Sequence, residues 1–298
     1  MEQNIHIEIA ESCIRCGKCA RVCPFEILVQ EQPGAPIELK HPESCIRCGH
    51  CVAVCPTDSV IHNLFPADKV HPIDYTQMPT PEQILLLCRA RRSNRAITSR
   101  PVPPETLDQI LEAAHRAPTA SNLQQVSFTV VTDPQKLRAV SEFTLKTFDK
   151  VYKKLTNPLL KPILKRIMPG VYRYVPIFKR LKQNDEAGKD PILRHATALI
   201  FIHTPASNRF GAADANLAYQ NGSLMAESLG ISQVYMGFVL SATQQDGKTL
   251  NRELGIEGKI HAIMALGMPP SAIRTTLTVK SSMHNDYNVS LHFRRTSS

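Results

Sequence analysis

Tryptophan is absent and aromatic residues make up only 6% of the 298 residues, which leaves little with which to stack the bases of a single strand. No apolar run approaches the roughly 18 residues that a membrane-spanning helix needs. The longest candidates are ILLLC at 84–88 and ALIFI at 198–202, so an integral membrane protein is not expected. No glycine-rich dinucleotide fingerprint follows a strand-like stretch, and a separate nicotinamide site is not evident. The opening residues MEQNIHIEIAES carry neither the basic nor the apolar region of a secretory signal. A cytoplasmic setting is therefore expected, and there a disulfide framework is not. Acidic residues are outnumbered, 26 against 35 Lys and Arg. Much of the resulting charge of +9 sits in residues 146–182, so it does not describe a uniform surface for nucleic acid, and no such partner is expected.

What is present is patterned cysteine. Cys13, Cys16, Cys19 and Cys23, followed by Pro24, spell CxxCxxCxxxCP. The spelling returns 32 positions later as Cys45, Cys48, Cys51, Cys55 and Pro56, within the near-identical strings ESCIRCGKCARVCP and ESCIRCGHCVAVCP. Thiolates separated by two residues on a tight loop clasp one cluster, while a helical turn carries the last cysteine of each run to the other. Cys13, Cys16, Cys19 and Cys55 are thus expected to hold one 4Fe–4S cluster, and Cys45, Cys48, Cys51 and Cys23 the second. Zinc is the rival ligand, but it closes one tetrahedron with two CxxC pairs or added histidine. The third cysteine and the CP ending would then be unexplained.

Residues 5–64 resemble the bacterial two-cluster ferredoxins. IHIEI at 5–9 alternates and reads as a strand whose partner lies near Val60 and Ile61. Pro33, Gly34 and Pro36 mark a turn between two short strands. With so few large apolar side chains, the clusters are expected to act as the core of this unit.

The expected organisation is a ferredoxin domain over 1–64, a proline-rich linker over 65–86 and a second domain over 87–298. A helix is predicted behind Thr80, with Pro81 at its first position and Glu82 and Gln83 in its first turn. Cys88 on its apolar face is expected to be a small core residue. The helix ends in RRSNRAI, where Arg91, Arg92, Ser93 and Arg95 offer charge-assisted hydrogen bonds to a phosphate and an electron-rich ring edge.

The stretch 91–132 resembles the opening of the nitroreductase family of FMN-dependent dimers. The parts that carry the likeness are the RRSxR-like string at 91–95, the helix at 102–114, the loop PTASNLQ at 118–124 and the strand SFTVVT. The resemblance implies that Arg91, Arg92, Ser93 and Arg95 bind the phosphate, ribityl chain and pyrimidine edge of FMN. It implies further that Pro118, Thr119, Ala120, Asn122 and Gln124 reach the flavin held mainly by the other subunit. Gln125 and Val126 stand where the family carries an aromatic residue. The likeness continues to about residue 283, with Met236 and Gly237 at the flavin N5 edge and Lys280 at the phosphate. Ser282 stands where the family often has an arginine.

Residues 143–182 read as amphipathic helices broken at Pro158, Pro162, Pro169 and Pro176, with polar faces almost wholly of Lys and Arg. By resemblance this is a lid over the flavin. A membrane-surface helix pair, a docking face for an acidic redox partner and a solvated face stay open beside that reading. His203 is expected to be a satisfied strand histidine, Asp214 the cap of a long apolar helix, and Gly230 its terminating glycine.

The expected fold is α+β, a two-cluster ferredoxin fold followed by a nitroreductase-like α/β sandwich that dimerises. The expected function is to pass electrons from a low-potential donor through both clusters to FMN and on to a small nitro, quinone or enone-type acceptor. Reduced ferredoxin, flavodoxin or NAD(P)H would be the donor. The alternative is an electron-transfer or redox-sensing module serving a protein partner. No side chain is assigned as an obligatory acid or base.

Overall fold

A computed structural model of the chain describes residues 4–271. β1 (Ile7–Ile9) is followed by α1 (Lys18–Val22), β2 (Leu28–Val29), β3 (Glu38–Leu39), α2 (His50–Ala53) and β4 (Val60–His62). β1 and β4 pair antiparallel with Ile9 opposite Val60, and β2 pairs with β3 across the Pro-Gly turn. The duplication is written into the backbone as well. Arg15 and Arg47 both take positive φ (56° and 59°), as do Gly17 and Gly49 (69° and 71°) and Glu26 and Asp58 (53° and 49°). Left-handed non-glycine residues are unfavourable in isolation. Their recurrence at matching positions indicates that both cysteine loops must turn in the same constrained way.

Residues 65–80 cross the surface, with short 3₁₀ turns at Ala67–Lys69 and Tyr75–Gln77. α3 (Pro81–Ala90) starts at a capping box: the Gln83 amide donates to Thr80 Oγ1 at 3.3 Å, and the Thr80 amide donates to Gln83 Oε1 at 2.9 Å. The expected burial of Cys88 is wrong. Among the described residues α3 buries no side chain, and Ile84, Leu85, Leu86 and Cys88 are exposed, because the helix rests on the outside of the sandwich against α8.

The remaining elements are α4 (Pro104–His115), β5 (Ser127–Val131), α5 (Pro134–Thr156), α6 (Lys161–Ile167), α7 (Val175–Glu186), β6 (Ala198–Thr204), α8 (Gly211–Ser228), β7 (Ser232–Tyr235), α9 (Gly237–Leu254) and β8 (Lys259–Gly267). Their strands form one antiparallel sheet in the order β5-β6-β8-β7. Strand alternation divides the apolar run of β6 between two layers. Ala198, Ile200 and Ile202 join Ile110 of α4 and Ala215 and Ala218 of α8, whereas Leu199 and Phe201 join Val140 of α5 and Val239 of α9. Helices therefore cover both faces, which is why this antiparallel strand reads as a continuous apolar run.

Two local expectations change. Pro162 and Pro176 are the second residues of α6 and α7, where no amide donor is needed, so they start helices and do not break them. Pro158 lies between α5 and α6, and Pro169 opens a 3₁₀ turn. Asp214 is not the cap of α8, which begins three residues earlier at Gly211. His203 is buried and doubly bonded, to Thr129 Oγ1 and to the Glu257 carbonyl oxygen, each at 3.0 Å. Gly230 follows α8 in the left-handed conformation, φ 68°.

Candidate redox site

None of the nine cysteines is joined in a disulfide. Those of the N-terminal unit sort by space and not by sequence. Cys23 lines one small cavity with Cys45, Cys48 and Cys51, closed by Ile7, Phe25 and Ile46. Cys19 is in electrostatic reach of Cys13 and Cys55. Burial pushes the Cys51 thiol up to about 11, and the charges of Cys45, Cys48 and Cys23 add to the rise. Cys19 and Cys45 are also raised, chiefly by burial. At Cys55 burial acts in the same sense but is outweighed by hydrogen bonds centred on Thr57 and Ser59, and the thiol is lowered.

Buried thiols that repel one another as thiolates need compensating positive charge, and iron provides it. The supporting amides repeat with the duplication: Ile27 N–H donates to Cys23 Sγ and Ser59 N–H to Cys55 Sγ, both at 3.2 Å. Among the described residues no three His, Cys, Asp or Glu side chains converge closely enough to hold a single metal ion. Cys23, Cys45, Cys48 and Cys51 instead surround a common cavity, a donor set that fits a four-iron cluster.

The arginine string runs along the free edge of β7. Ser93 forms a parallel bridge with Gln233, the Asn94 amide donates to the Gln233 carbonyl oxygen at 3.1 Å, and Gln233 Nε2 donates to the Arg92 carbonyl oxygen at 2.9 Å. Gln233 is fully buried and accepts from the Tyr219 hydroxyl at 2.7 Å. Burial pushes that hydroxyl well above its ordinary range, and the Arg91 charge partly offsets the rise. Arg95 reaches a cavity of about 580 Å³ together with Met236 and Gly237. Val171, Tyr174 and Phe178, from the basic stretch, line the same cavity. Arg194, at φ 55°, also lines it and was not anticipated.

Pro118, Thr119, Asn122 and Gln124 line a different cavity, of about 260 Å³. Within the chain the two groups of flavin candidates are therefore not brought together. The loop is strained, with Ser121, Asn122 and Gln124 at φ 50°, 53° and 52°. It is held by Thr119 Oγ1, which accepts from the Gln124 amide, and by Asp214 Oδ1, which accepts from the Ala120 amide, both at 3.0 Å. Asp214 is 2% exposed, and its Oδ2 has no hydrogen-bond partner among the described residues. Such an orphaned acceptor fits a polar ligand in the vicinity. Its signal in the sequence was an aspartate in the first turn of a helix with no other charge until Glu227 near its end.

The same loop meets the N-terminal unit. Asn122 Nδ2 donates to the carbonyl oxygens of Ile46, at 3.0 Å, and Arg47, at 2.9 Å, while Gln124 Nε2 donates to Asn122 Oδ1 at 3.2 Å. Ile46 and Arg47 lie between Cys45 and Cys48, in the second cysteine loop. Both protons of one amide are thus spent on that loop. Lys280 lies outside the described residues.

Residues 12–61 match the model of the 4Fe–4S dicluster domain, and residues 88–268 that of the nitroreductase family. Over 154 residues the chain is 30% identical to FMN reductase (NAD(P)H) of Bacillus subtilis, covering 52% of this chain and 53% of that protein. Over 85 residues it is 36% identical to iodotyrosine deiodinase 1 of Rattus norvegicus, 28% of this chain and 29% of the relative. The chain thus spans about half or less of the length of these curated relatives. Among solved structures, an FMN-bound nitroreductase from Bacteroides fragilis superposes with TM-score 0.51 at 22% identity, over 67% of this chain and 96% of that one. Another, from Desulfitobacterium hafniense, gives TM-score 0.51 at 18% identity, over 66% and 95%. At these identities the likeness shows the fold. With the family model covering more than half of its length, the chain belongs to the nitroreductase family and carries a 4Fe–4S dicluster domain ahead of the family fold.

Proposed function

We propose that the protein is an FMN-dependent oxidoreductase in which electrons from a low-potential carrier enter through two 4Fe–4S clusters and leave to a small nitro, quinone or enone-type acceptor. When bound, the clusters supply one-electron steps and the flavin a two-electron store that converts them to a hydride equivalent. Cys13, Cys16, Cys19 and Cys55 would hold one cluster and Cys45, Cys48, Cys51 and Cys23 the other. Arg91, Arg92, Ser93 and Arg95 would hold the flavin, with Met236 and Gly237 beside its reacting edge. Pro118, Thr119, Ala120, Asn122 and Gln124 would complete the site, from a second copy of the chain as in the dimers the family resemblance implies. The single observation that carries the reading is the pair of hydrogen bonds from Asn122 to the Ile46 and Arg47 carbonyl oxygens. They hold the loop between Cys45 and Cys48 against the loop expected to reach the flavin. A fused donor held in this way acts at a high effective concentration.

A cavity of about 580 Å³ beside Met236 and Gly237 has room for a small acceptor, which favours an enzyme over a relay serving only proteins. Arg95 and Arg194 are the cationic side chains lining it, and Arg95 is the one proposed to stabilise negative charge on a reduced ring. No side chain there is assigned a proton-transfer role. The test is anaerobic turnover driven either by a reduced low-potential one-electron carrier or by NADH and NADPH, in the wild type and in Cys48→Ala. The carrier should outperform the nicotinamides in the wild type and lose its advantage in the variant. Equal NADPH-driven turnover in both proteins, with no response to the carrier, would remove the clusters from the route.

A further inference from the structure

The lid carries a second surface that the cavity does not use. α6 turns its partly buried Leu164 inward, whereas Leu159, Ile163 and Ile167 are 82%, 58% and 70% exposed, with Leu160 and Met168 exposed beside them. In helical projection Leu160, Ile163 and Ile167 share one face, Leu164 lies at its inner margin, Lys161 and Arg166 flank it and Lys165 lies opposite. The ridge is not a loose end. Tyr172 donates its hydroxyl hydrogen bond to the Leu155 and Lys161 carbonyl oxygens at 3.1 and 3.2 Å, and Asn157 Oδ1 accepts from the Leu159 amide at 2.9 Å. Among the described residues no ion pair engages Lys161, Lys165 or Arg166. Across 146–182 there are eleven Lys and Arg against a single acid, Asp149.

We infer that this ridge is a membrane-docking surface, which lays Leu159, Leu160, Ile163, Ile167 and Met168 among the acyl chains of an anionic bilayer while the flanking cations meet the lipid phosphates. Two features select that occupant. A second copy of the chain would bring the same excess of positive charge against itself, which like-charge repulsion opposes. An acidic protein would satisfy the lysines but gives no reason for several large aliphatic side chains to stand free in water at the crest. An interfacial helix needs both features at once, an apolar face of modest area and a cationic flank, and neither alone holds a protein on lipid. α6 is short, so docking should be reversible and dependent on the charge of the lipid. The 3₁₀ turn and α7 that follow α6 line the 580 Å³ cavity through Val171, Tyr174 and Phe178, so docking and access to the cavity fall on adjoining elements.

The experiment is flotation of the anaerobically purified holoprotein with vesicles of phosphatidylcholine, alone or mixed with phosphatidylglycerol, at low and high salt. Wild type should float with the anionic vesicles at low salt, be released by high salt and ignore neutral ones. The triple variant Lys161→Gln, Lys165→Gln, Arg166→Gln should lose about fivefold in partitioning for each charge removed. Ile163→Asp with Ile167→Asp should abolish flotation while iron content, flavin content and circular dichroism stay unchanged. These substitutions fall on exposed positions, so loss of fold does not confuse the result. Absence of wild-type flotation on anionic vesicles at low salt, or flotation that the variants leave intact, overturns the inference. Without flotation, a dimer that dissociates in the aspartate variant would give the ridge to a second copy of the chain. Binding of a soluble acidic carrier, lost in the glutamine variant, would give it to a protein.

Discussion

In residues 5–64 the buried apolar cluster is Ile7, Cys19, Ile27, Leu28, Cys51 and Val60, two of them cysteines. The sandwich instead fills both faces of its sheet, with Leu199, Phe201 and Ile263 on one side and Ile200, Ile202 and Met264 on the other, all at or below 1% exposure. A unit of some sixty residues with so small an apolar core is marginal on its own, and metal clusters commonly make up the deficit. One chain therefore joins a domain whose fold is expected to depend on its cofactor to one whose fold rests on packing. The lesson is that the residues carrying the chemistry also carry stability in the first unit, and are separable from it in the second.

The largest effect that could break this contrast is removal of iron. Metal binding to small metal-dependent folds is worth on the order of 10 kcal/mol, more than such a fold retains without it. Anaerobic chelation should abolish amide protection at the β1–β4 pair while protection across β5, β6 and β8 survives. Persistent protection of Ile7–Ile9 without iron would show that the small core suffices. Cys55→Ala sharpens the point: resonance spectra should show damage to the cluster expected on Cys13, Cys16 and Cys19, not to that of its sequence neighbours.

Next in size is a cavity in the sandwich. Phe201 is fully buried between α5 and α9, and Phe201→Ala should cost about 3–5 kcal/mol. Thermal unfolding followed by circular dichroism should shift accordingly, with the iron–sulfur absorbance unchanged until that transition. Simultaneous loss of the clusters under native conditions would mean that the two units fold as one.

Much of this was readable in the sequence because local chemistry dictated it. The cysteine spacing, the helix start behind Thr80 and the strand setting of His203 are set by neighbours in sequence, whereas the pairing of the first strand near Val60 was legible only through the duplicated, ferredoxin-like pattern. What escaped depended on surfaces that only assembly defines. Cys88 carries the pattern of a core residue, yet among the described residues α3 rests on the outside of α8 and Cys88 stays exposed. Asp214 looks like a helix cap but sits inside the first turn, because its partner is the Ala120 amide 94 residues away. Asn122 presented itself as a flavin contact, and its amide protons are directed at Ile46 and Arg47 in the other domain. No periodicity reports a contact across such separations. Arg194 was invisible for the same reason, being placed at the cavity by a left-handed turn between α7 and β6.

The smallest expected effect concerns protons in the packed sandwich. Burial lowers the His203 pKa, only partly countered by its hydrogen bond to the Glu257 carbonyl oxygen, and burial likewise lowers His261, helped by Lys259 and His203. Because that carbonyl can only accept, His203 Nδ1 carries the proton and Nε2 accepts from Thr129, which is the neutral ring. Above an unfolded-state value of about 6.5 both states are neutral, so the preference for the neutral ring is fully expressed as stability. Below it the unfolded chain takes up protons first, and that stability erodes as pH falls toward the folded values, after which the curve flattens. Glu142 and Asp149 are lowered first by hydrogen bonds from Arg138 and Lys153, so their loss on acidification belongs to a more acid range. The midpoint of the sandwich transition should therefore drop as pH is taken below about 6.5, and His203→Asn should lower the plateau while flattening this slope. A midpoint that rises on acidification, or a slope equally steep in the variant, would show that the buried histidines of the sheet do not set it.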